Sequence, residues 1–552
     1  MTADVHEHLS EMLARYGVTH LFGMRVYPLD RERVRQIVIH HEASAALMAY
    51  GYARVSGRVG VMSLNKAATP NAIMGLAEAW TSSVPVIVLQ DGVPVALQGR
   101  NSQFEQDQVG MMRPVTKWIG EVPELSMAPE VLAKAFRISS TGRPRPVMVN
   151  LRGAGPMANP AASFDTEPRV EPQYGVFPAQ RLGPDPTAIE EAAALLSNAE
   201  RPCIVAGGGV VLSRAWDALL SVAEAGRIPV ATTLSGKGSF PERHELSAGP
   251  TGGFGGMGGP LGRARIARKI VNDSDVVLLV GTRTNEMATN RWTVPDPAAT
   301  IIHMDVDPEE PGRNYDTAVA IVSDARLGLE ALAESLGTRA VSSPASREAR
   351  VDEIRGLMDQ WHADIKGFAE SEDVPINAAR VVHEVERFVD ENTILVSDGS
   401  NSFVFGTNNI LVDAGATFIS PRGTGAIGTG LPMAIGAKLA APDKRVICFE
   451  GDGGLLCGIL SELETAARYN VAVTVVVFNN GGLNEPGLPA EDCVDFLPGL
   501  NFAAIARELG CEAFRVERPD EIAGALRGAV ESGRPALVDV VCSRAKLSQP
   551  AG

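Results

Sequence analysis

Asp452 and Asn480 stand twenty-eight positions apart, each just after an apolar run, 446–450 before the first and 473–478 before the second. A carboxylate and a carboxamide oxygen are hard ligands of the kind Mg²⁺ takes, with substrate phosphates filling the remaining positions. Gly453 and Gly454 follow the aspartate and open a helical pattern over 455–469. Glycines admit close backbone approach, and free N–H groups at a helix start attract phosphate. The chemistry these residue types point to is a metal-bridged diphosphate. A bare G-D-G is usually a turn; the second motif, at the end of the next strand, gives it weight.

The elements around these residues must bring them together. A strand–helix–strand unit crosses over in one hand, so both strands point the same way and both motifs reach the carboxyl edge of one sheet, where α/β folds bind ligands. The same alternation fills the chain. Apolar runs at 59–64, 85–90, 147–151, 204–206, 276–280, 301–305 and 394–397 alternate with helical patterns. Continuous apolar runs are strands buried on both faces. The fold class is therefore α/β, with three doubly wound parallel-sheet domains. A chain of 552 residues is too long for one core. The proline-rich stretch 155–186 and the polar stretch 337–377 read as breaks, giving domains at 1–165, 183–340 and 372–545.

Composition narrows the partners. A net charge of −16 offers no basic stripe to a nucleic acid. No run of 18 apolar residues exists to span a membrane. The first seventeen residues read as an acidic amphipathic helix rather than a signal peptide. Cys203, Cys448, Cys457, Cys493, Cys511 and Cys542 are scattered without a C-x-x-C, and read as reduced, buried small hydrophobes of a cytoplasmic protein.

The G-D-G…N-N pair resembles the signature of thiamine diphosphate (ThDP) dependent enzymes, and the chain resembles their acetolactate synthase-like and benzaldehyde lyase-like members along nearly its whole length. The resemblance implies that Asp452, Asn480 and the carbonyl of Gly482 hold Mg²⁺, with Gly453, Gly454 and Leu483 against the cofactor. The segment 40–57, HHEASAALMAYGYARVSG, is similar to the family's R-H-E…G-Y-A-R, with His40 where Arg is usual. It implies that the Glu42 carboxyl bonds the N1′ nitrogen of the cofactor pyrimidine and takes part in making a C2 carbanion, the hard chemistry being the cofactor's. The segment 420–437, SPRGTGAIGTGLPMAIGA, implies that the Gly425 carbonyl meets the 4′-amino group and that Ile427, for the commoner Met, wedges the cofactor into a folded shape. In 398–402, DGSNS, it assigns Gly399, Ser400 and Asn401 to the diphosphate. In the central domain 206–210 (AGGGV), 281–283 (GTR) and 305–308 (DVDP) are similar to a region that some relatives use for FAD; a lone GGG is weak, and packing explains it better. The resemblance also implies a homodimer or homotetramer with active sites at the subunit interface.

The substrate side departs from the family. The loop usually reading S-G-P-G-A-T-N is NKAATPN (65–71), G-Q-V-P becomes DGVP (91–94), and A-F-Q-E becomes SQFE (102–105). Lys66, Gln90, Asp91 and Phe104 are the expected pocket lining in place of the usual residues. The expected function is a carboligase or lyase acting on 2-oxo acids, acyloins or diketones. A non-oxidative 2-oxo acid decarboxylase and a non-catalytic cofactor-binding homologue remain open, while a nucleotide-binding oxidoreductase lacks G-x-G-x-x-G after an N-terminal strand.

Overall fold

The computed structural model describes residues 3–24, 29–152, 163–164, 170–252, 262–415, 418–483 and 494–544. Three six-stranded parallel sheets account for its framework. The first contains β1 (His20–Gly23), β2 (Arg35–Val38), β3 (Gly60–Leu64), β4 (Val86–Gly92), β5 (Trp118–Val122) and β6 (Val147–Arg152), in the order β2-β1-β3-β4-β6-β5. The second contains β7 (Cys203–Ala206), β8 (Val230–Thr232), β9 (Ser247–Pro250), β10 (Val276–Val280), β11 (Thr300–Asp305) and β12 (Thr317–Val322), ordered β9-β8-β7-β10-β11-β12. The third contains β13 (Thr393–Ser397), β14 (Phe418–Ile419), β15 (Arg445–Gly451), β16 (Thr474–Asn479), β17 (Glu512–Val516) and β18 (Ala536–Val541), ordered β14-β13-β15-β16-β18-β17. The first and third sheets thus share one topology, and the second has another.

Strands such as β3, β10 and β13 are Val-, Ile- and Leu-rich and buried at every position, as the apolar runs predict for sheets covered on both faces. Helix α1 (Glu42–Ser56) follows β2, and α2 (Thr69–Thr81) follows β3. The His41 imidazole caps the start of α1 by accepting from the Ala43 N–H, and Gly57, at φ 70°, ends it in the left-handed conformation.

The polar stretch 337–377, in which the sequence carries a helical segment after SSPASREAR, contains the 26-residue helix α3 (Pro344–Ala369). Val351, Ile354 and Trp361 of α3 are buried in the clusters around the second sheet. Its Arg347 donates to the carbonyls of Leu196 and Ala199, which hold the helix down. The polar residues of the stretch form the other face of an amphipathic helix. The cysteines Cys203, Cys448, Cys511 and Cys542 are free and buried, but Cys457 is exposed, because it lies just past a short helix rather than in a strand; Cys493 lies outside the described residues.

The C-terminal sheet carries α4 (Ser400–Asn409) after β13, α5 (Gly430–Ala440) after β14, and α6 (Asp452–Leu456) and α7 (Glu462–Arg468) after β15. The single helix expected over 455–469 is therefore two, with a break containing Gly458 at φ 101°. Helices α1 and α5 pack on each other in the largest core cluster. A Cβ at Gly51 would overlap the Met433 carbonyl, and one at Gly436 would overlap the Met48 carbonyl. As the α1 index rises from 48 to 51 the α5 index falls from 436 to 433, so the two helices run antiparallel.

Candidate active site

The carboxyl edge of the third sheet gathers the predicted cofactor residues. Asp452 is buried at the start of α6. Its Oδ1 accepts the Gly453 N–H at 2.8 Å, and its Oδ2 accepts those of Gly481 at 2.7 Å and Gly482 at 3.2 Å. The Asn480 Oδ1 accepts the Gly482 N–H at 3.3 Å. The carboxylate therefore pins the loop after β16 to the end of β15, and Asp452, Asn480 and Gly482 form one cluster. Burial holds the Asp452 carboxyl above its usual range, which a divalent cation would offset. Among the described residues no three His, Cys, Asp or Glu side chains cluster as a metal site. A metal here would draw on one carboxylate, one amide oxygen, backbone oxygen and ligand phosphate, a set suited to Mg²⁺.

The glycines beside it are required by space. A Cβ at Gly453 would overlap the Leu483 side chain, and one at Gly454 would overlap the Asp398 carboxylate. Gly399 caps α4, and a Cβ there would press on the Ile427 side chain. Gly425 has φ 70° and Gly428 φ 77°, left-handed conformations in which L side chains are strained. Ser400 and Asn401 open α4; their side chains lie outside the described residues.

Two acids that sequence reasoning passed over organise this edge. Asp398, buried after β13, accepts from the N–H groups of Gly428 (2.8 Å), Thr429 (2.8 Å) and Gly430 (3.3 Å) and from the Thr429 hydroxyl (2.8 Å). Glu450, fully buried near it, accepts the Leu431 N–H at 2.6 Å. Burial, and then the Asp398 charge, push the Glu450 carboxyl well above the usual carboxylate range. The signal was present: both motifs, S-D-G and F-E-G-D-G, end strands that prove to be neighbours, β13 and β15.

Glu42 opens α1 and is 6% exposed. Its Oε2 accepts from Asn71 Nδ2 at 3.0 Å, a partner inside the altered NKAATPN loop that the motif comparison did not single out. Its chain position relative to the other half-site is decisive. Glu42 precedes Gly51 by nine residues, about 13 Å along the axis at 1.5 Å per residue. Gly425 precedes Met433, the residue facing Gly51, and the helices are antiparallel. Within one chain Glu42 and Gly425 therefore lie on opposite sides of the α1–α5 contact.

The four expected substrate residues divide. Lys66 opens a 3-10 turn capped by Asn65 and is partly exposed. Gln90 is fully buried and its amide is occupied: it accepts from the Thr69 hydroxyl at 3.0 Å and donates to the carbonyls of Asn65 (3.0 Å) and Asp91 (2.9 Å). It supports the Asn65–Lys66 turn from beneath. Asp91 is buried beside it, and Phe104 is 54% exposed with φ 62°.

In the second sheet, Gly207 and Gly209 pack directly on Gly281, so close packing accounts for two of the three consecutive glycines. Beside them opens a solvent-connected cleft lined by Gly208, Arg143, Arg283, Asp305 and Arg422 among others. No described helix is long and apolar enough to cross a membrane.

Three family models match this architecture domain by domain: thiamine pyrophosphate enzyme, N-terminal TPP binding domain, over residues 3–111; the central domain over 189–332; and the C-terminal TPP binding domain over 399–540. Fold and site thus define a three-domain thiamine pyrophosphate enzyme. Curated relatives narrow the class. The chain is 32% identical over 529 residues to a probable acetolactate synthase large subunit of Methanococcus aeolicus (91% of this chain, 85% of the relative). It is 33% identical over 527 residues to the probable large subunit of Methanocaldococcus jannaschii (92% and 86%), and 31% identical over 529 residues to acetolactate synthase isozyme 3 large subunit of Escherichia coli strain K12 (92% and 88%). The chain belongs to the acetolactate synthase-like family of ThDP-dependent enzymes.

Proposed function

We propose that the chain, with ThDP and Mg²⁺, makes or breaks a carbon–carbon bond next to a carbonyl in 2-oxo acids, acyloins or diketones, and does so as a homodimer or a dimer of dimers. The observation that carries the cofactor reading is the Asp452 cluster: a buried carboxylate, an amide oxygen and a glycine-lined helix start converge where a metal and a diphosphate need them. Bound ThDP supplies a nucleophilic carbon at C2 of its thiazolium ring. Asp452, Asn480 and the Gly482 carbonyl hold the metal; Gly453, Gly454, Gly399, Ser400, Asn401 and Leu483 surround the diphosphate. Gly425 accepts from the 4′-amino group, and Ile427 supports the folded cofactor. Glu42 holds and returns the proton at N1′, with Asn71 orienting its carboxyl.

N1′ and the 4′-amino group belong to one aromatic ring, whereas Glu42 and Gly425 of one chain lie on opposite sides of the α1–α5 contact. The Glu42 of a second copy completes each site in this reading, which makes the assembly part of the mechanism.

Lys66, Asp91 and Phe104 replace the family's usual residues on the Glu42 side, and Lys66 offers a cation to a carboxylate or phosphate. Pyruvate-to-acetolactate turnover should therefore be poor. The test is a screen of 2-oxo acids, acyloins and diketones with ThDP and Mg²⁺, read by mass spectrometry. Rapid acetolactate formation would show the altered loops to be neutral, and carbon dioxide with aldehyde as the only products would favour the decarboxylase alternative. FAD in the central cleft is the less favoured part of this reading. A flavin absorbance band in the purified protein would establish that ligand.

A further inference from the structure

Two fully buried glutamates reach across the α1–α5 contact in opposite directions. Glu462, the first residue of α7, accepts the backbone N–H groups of His40 and His41, both at 3.1 Å. Glu78, in α2, accepts those of Gly423 at 3.0 Å and Thr424 at 2.8 Å, and the Thr424 hydroxyl at 2.9 Å. Each carboxylate also takes a hydroxyl from its own helix or just past its end, Thr465 at 2.8 Å for Glu462 and Ser82 at 2.6 Å for Glu78. Both come from a helix between the third and fourth strands, in chain order, of sheets with the same topology. The construction is the same device built twice about a local two-fold.

Its targets are not arbitrary backbone. His41 immediately precedes Glu42, and Thr424 immediately precedes Gly425. A buried carboxylate that satisfies two converging N–H groups makes charge-assisted bonds, stronger and more directional than neutral ones. A carboxylate placed at full burial without such partners would be costly. A Cβ at Gly423 would overlap the Thr81 hydroxyl, so the loop is held tightly against α2.

We propose that Glu78 and Glu462 are a reciprocal pair of positioning residues, each contributed by one cofactor-binding domain to fix a cofactor-contacting residue of the other. The inference rests on the reading of Glu42 and Gly425 given above. Because those two residues of one chain serve different cofactors, the pair ties one active site to the next through the core of a single chain. Each carboxylate acts on the cofactor only through the peptide it holds.

The test uses the full-length protein as Glu462→Gln, Glu78→Gln, Glu462→Asp and, for reference, Glu42→Gln. Three quantities are measured: amide hydrogen exchange at 38–42 and 422–426 without cofactor, ThDP affinity by calorimetry with Mg²⁺, and C2–H/D exchange of the bound cofactor. Glu462→Gln should deprotect 38–42, leave ThDP affinity within about threefold, and slow C2 exchange roughly 10- to 100-fold, the scale of a sub-ångström to one-ångström misplacement. Glu78→Gln should deprotect 422–426 and slow C2 exchange on the same scale. Wild-type C2 exchange in both Gln variants, beside a slow Glu42→Gln, would overturn the pair and leave the reading of Glu42 standing. Wild-type exchange in Glu42→Gln would overturn that reading and the pair with it. Equal losses of affinity and C2 exchange would make the carboxylates packing elements only, which also overturns the proposal. Should the Gln variants fail to fold, Glu462→Asp, which keeps the charge and shortens the reach, must show the same split between affinity and exchange for the proposal to stand.

Discussion

Asp452 ties the loop after β16 to the end of β15, and in the proposed function the same carboxylate offers oxygen to a cation. Asp452→Ala should weaken ThDP binding in the presence of Mg²⁺ by at least about a hundredfold, or roughly 3 kcal/mol; calorimetry that finds wild-type affinity would remove Asp452 from the metal site. Glu42 is different, because the diphosphate contacts lie in another domain. Glu42→Gln should still bind ThDP while C2–H/D exchange, followed by quenched-flow NMR, falls about 10²–10⁴-fold. An unchanged rate would separate Glu42 from the proton relay. At this scale short motifs singled out Asp452, Asn480 and Glu42, and the structure places Asp452 and Asn480 in one cluster and Glu42 at the start of α1. The sequence showed Asp398 and Glu450 only as members of strand-end motifs, and Glu78 and Glu462 not at all. Their roles arise from which strands and helices become neighbours, as when β13 pairs with β15, and a local motif carries no record of that.

Among elements, the α1–α5 contact is made possible by small residues: Gly51 on one helix meets Met433, and Gly436 on the other meets Met48, backbone against side-chain-free backbone. Gly51→Val would drive a branched side chain into the Met433 carbonyl. The expected cost is about 3 kcal/mol, the upper end for overpacking, with loss of thermal stability and of C2 exchange together; a variant with wild-type melting and exchange would show that the contact relaxes freely. Strands that are uninterrupted apolar runs, such as β10, were legible to within one or two residues, because a parallel strand buried on both faces leaves that pattern; strands such as β5, β8, β12 and β17 were not singled out. The division between α6 and α7 was not. Residues 455–469 favour helix along most of their length, and the break falls where Gly458 takes φ 101°, a left-handed conformation outside the helical range.

The whole molecule is held together by ionic as well as apolar contacts. Between the central and C-terminal domains, Lys237 donates to Glu242 at 2.5 Å and to the Ile410 carbonyl at 2.8 Å, and Arg263 donates to Glu242 at 3.0 Å, all three fully buried. Such a cluster fixes geometry more than it adds stability, since its desolvation offsets much of the attraction. A single buried acid gives a sharper prediction. Burial pushes the Asp305 carboxyl, beside the central cleft, from near 4 up to about 7. The folded state therefore favours its protonated form, and stability falls as pH rises from about 4 to about 7 and then levels off. Asp305→Asn should raise the thermal midpoint at pH 8, by an amount corresponding to a cost on the order of 4 kcal/mol, and change little at pH 4. An equal effect at both pH values would assign the change to packing rather than charge.

The antiparallel contact of α1 and α5 has a genetic consequence. If each chain lends its Glu42 to one site and its Asp452 to another, two inactive alleles can rescue each other. Chains carrying Glu42→Gln and chains carrying Asp452→Ala are each inert alone, yet a mixed dimer contains one wild-type site and one doubly defective site. Co-expression in equal amounts should restore about a quarter of wild-type activity by random pairing of subunits in a two-fold assembly. A chain bearing both substitutions should rescue neither single mutant. No recovery from the first mixture, with mixed dimers verified by mass spectrometry, would mean that each chain closes its own site.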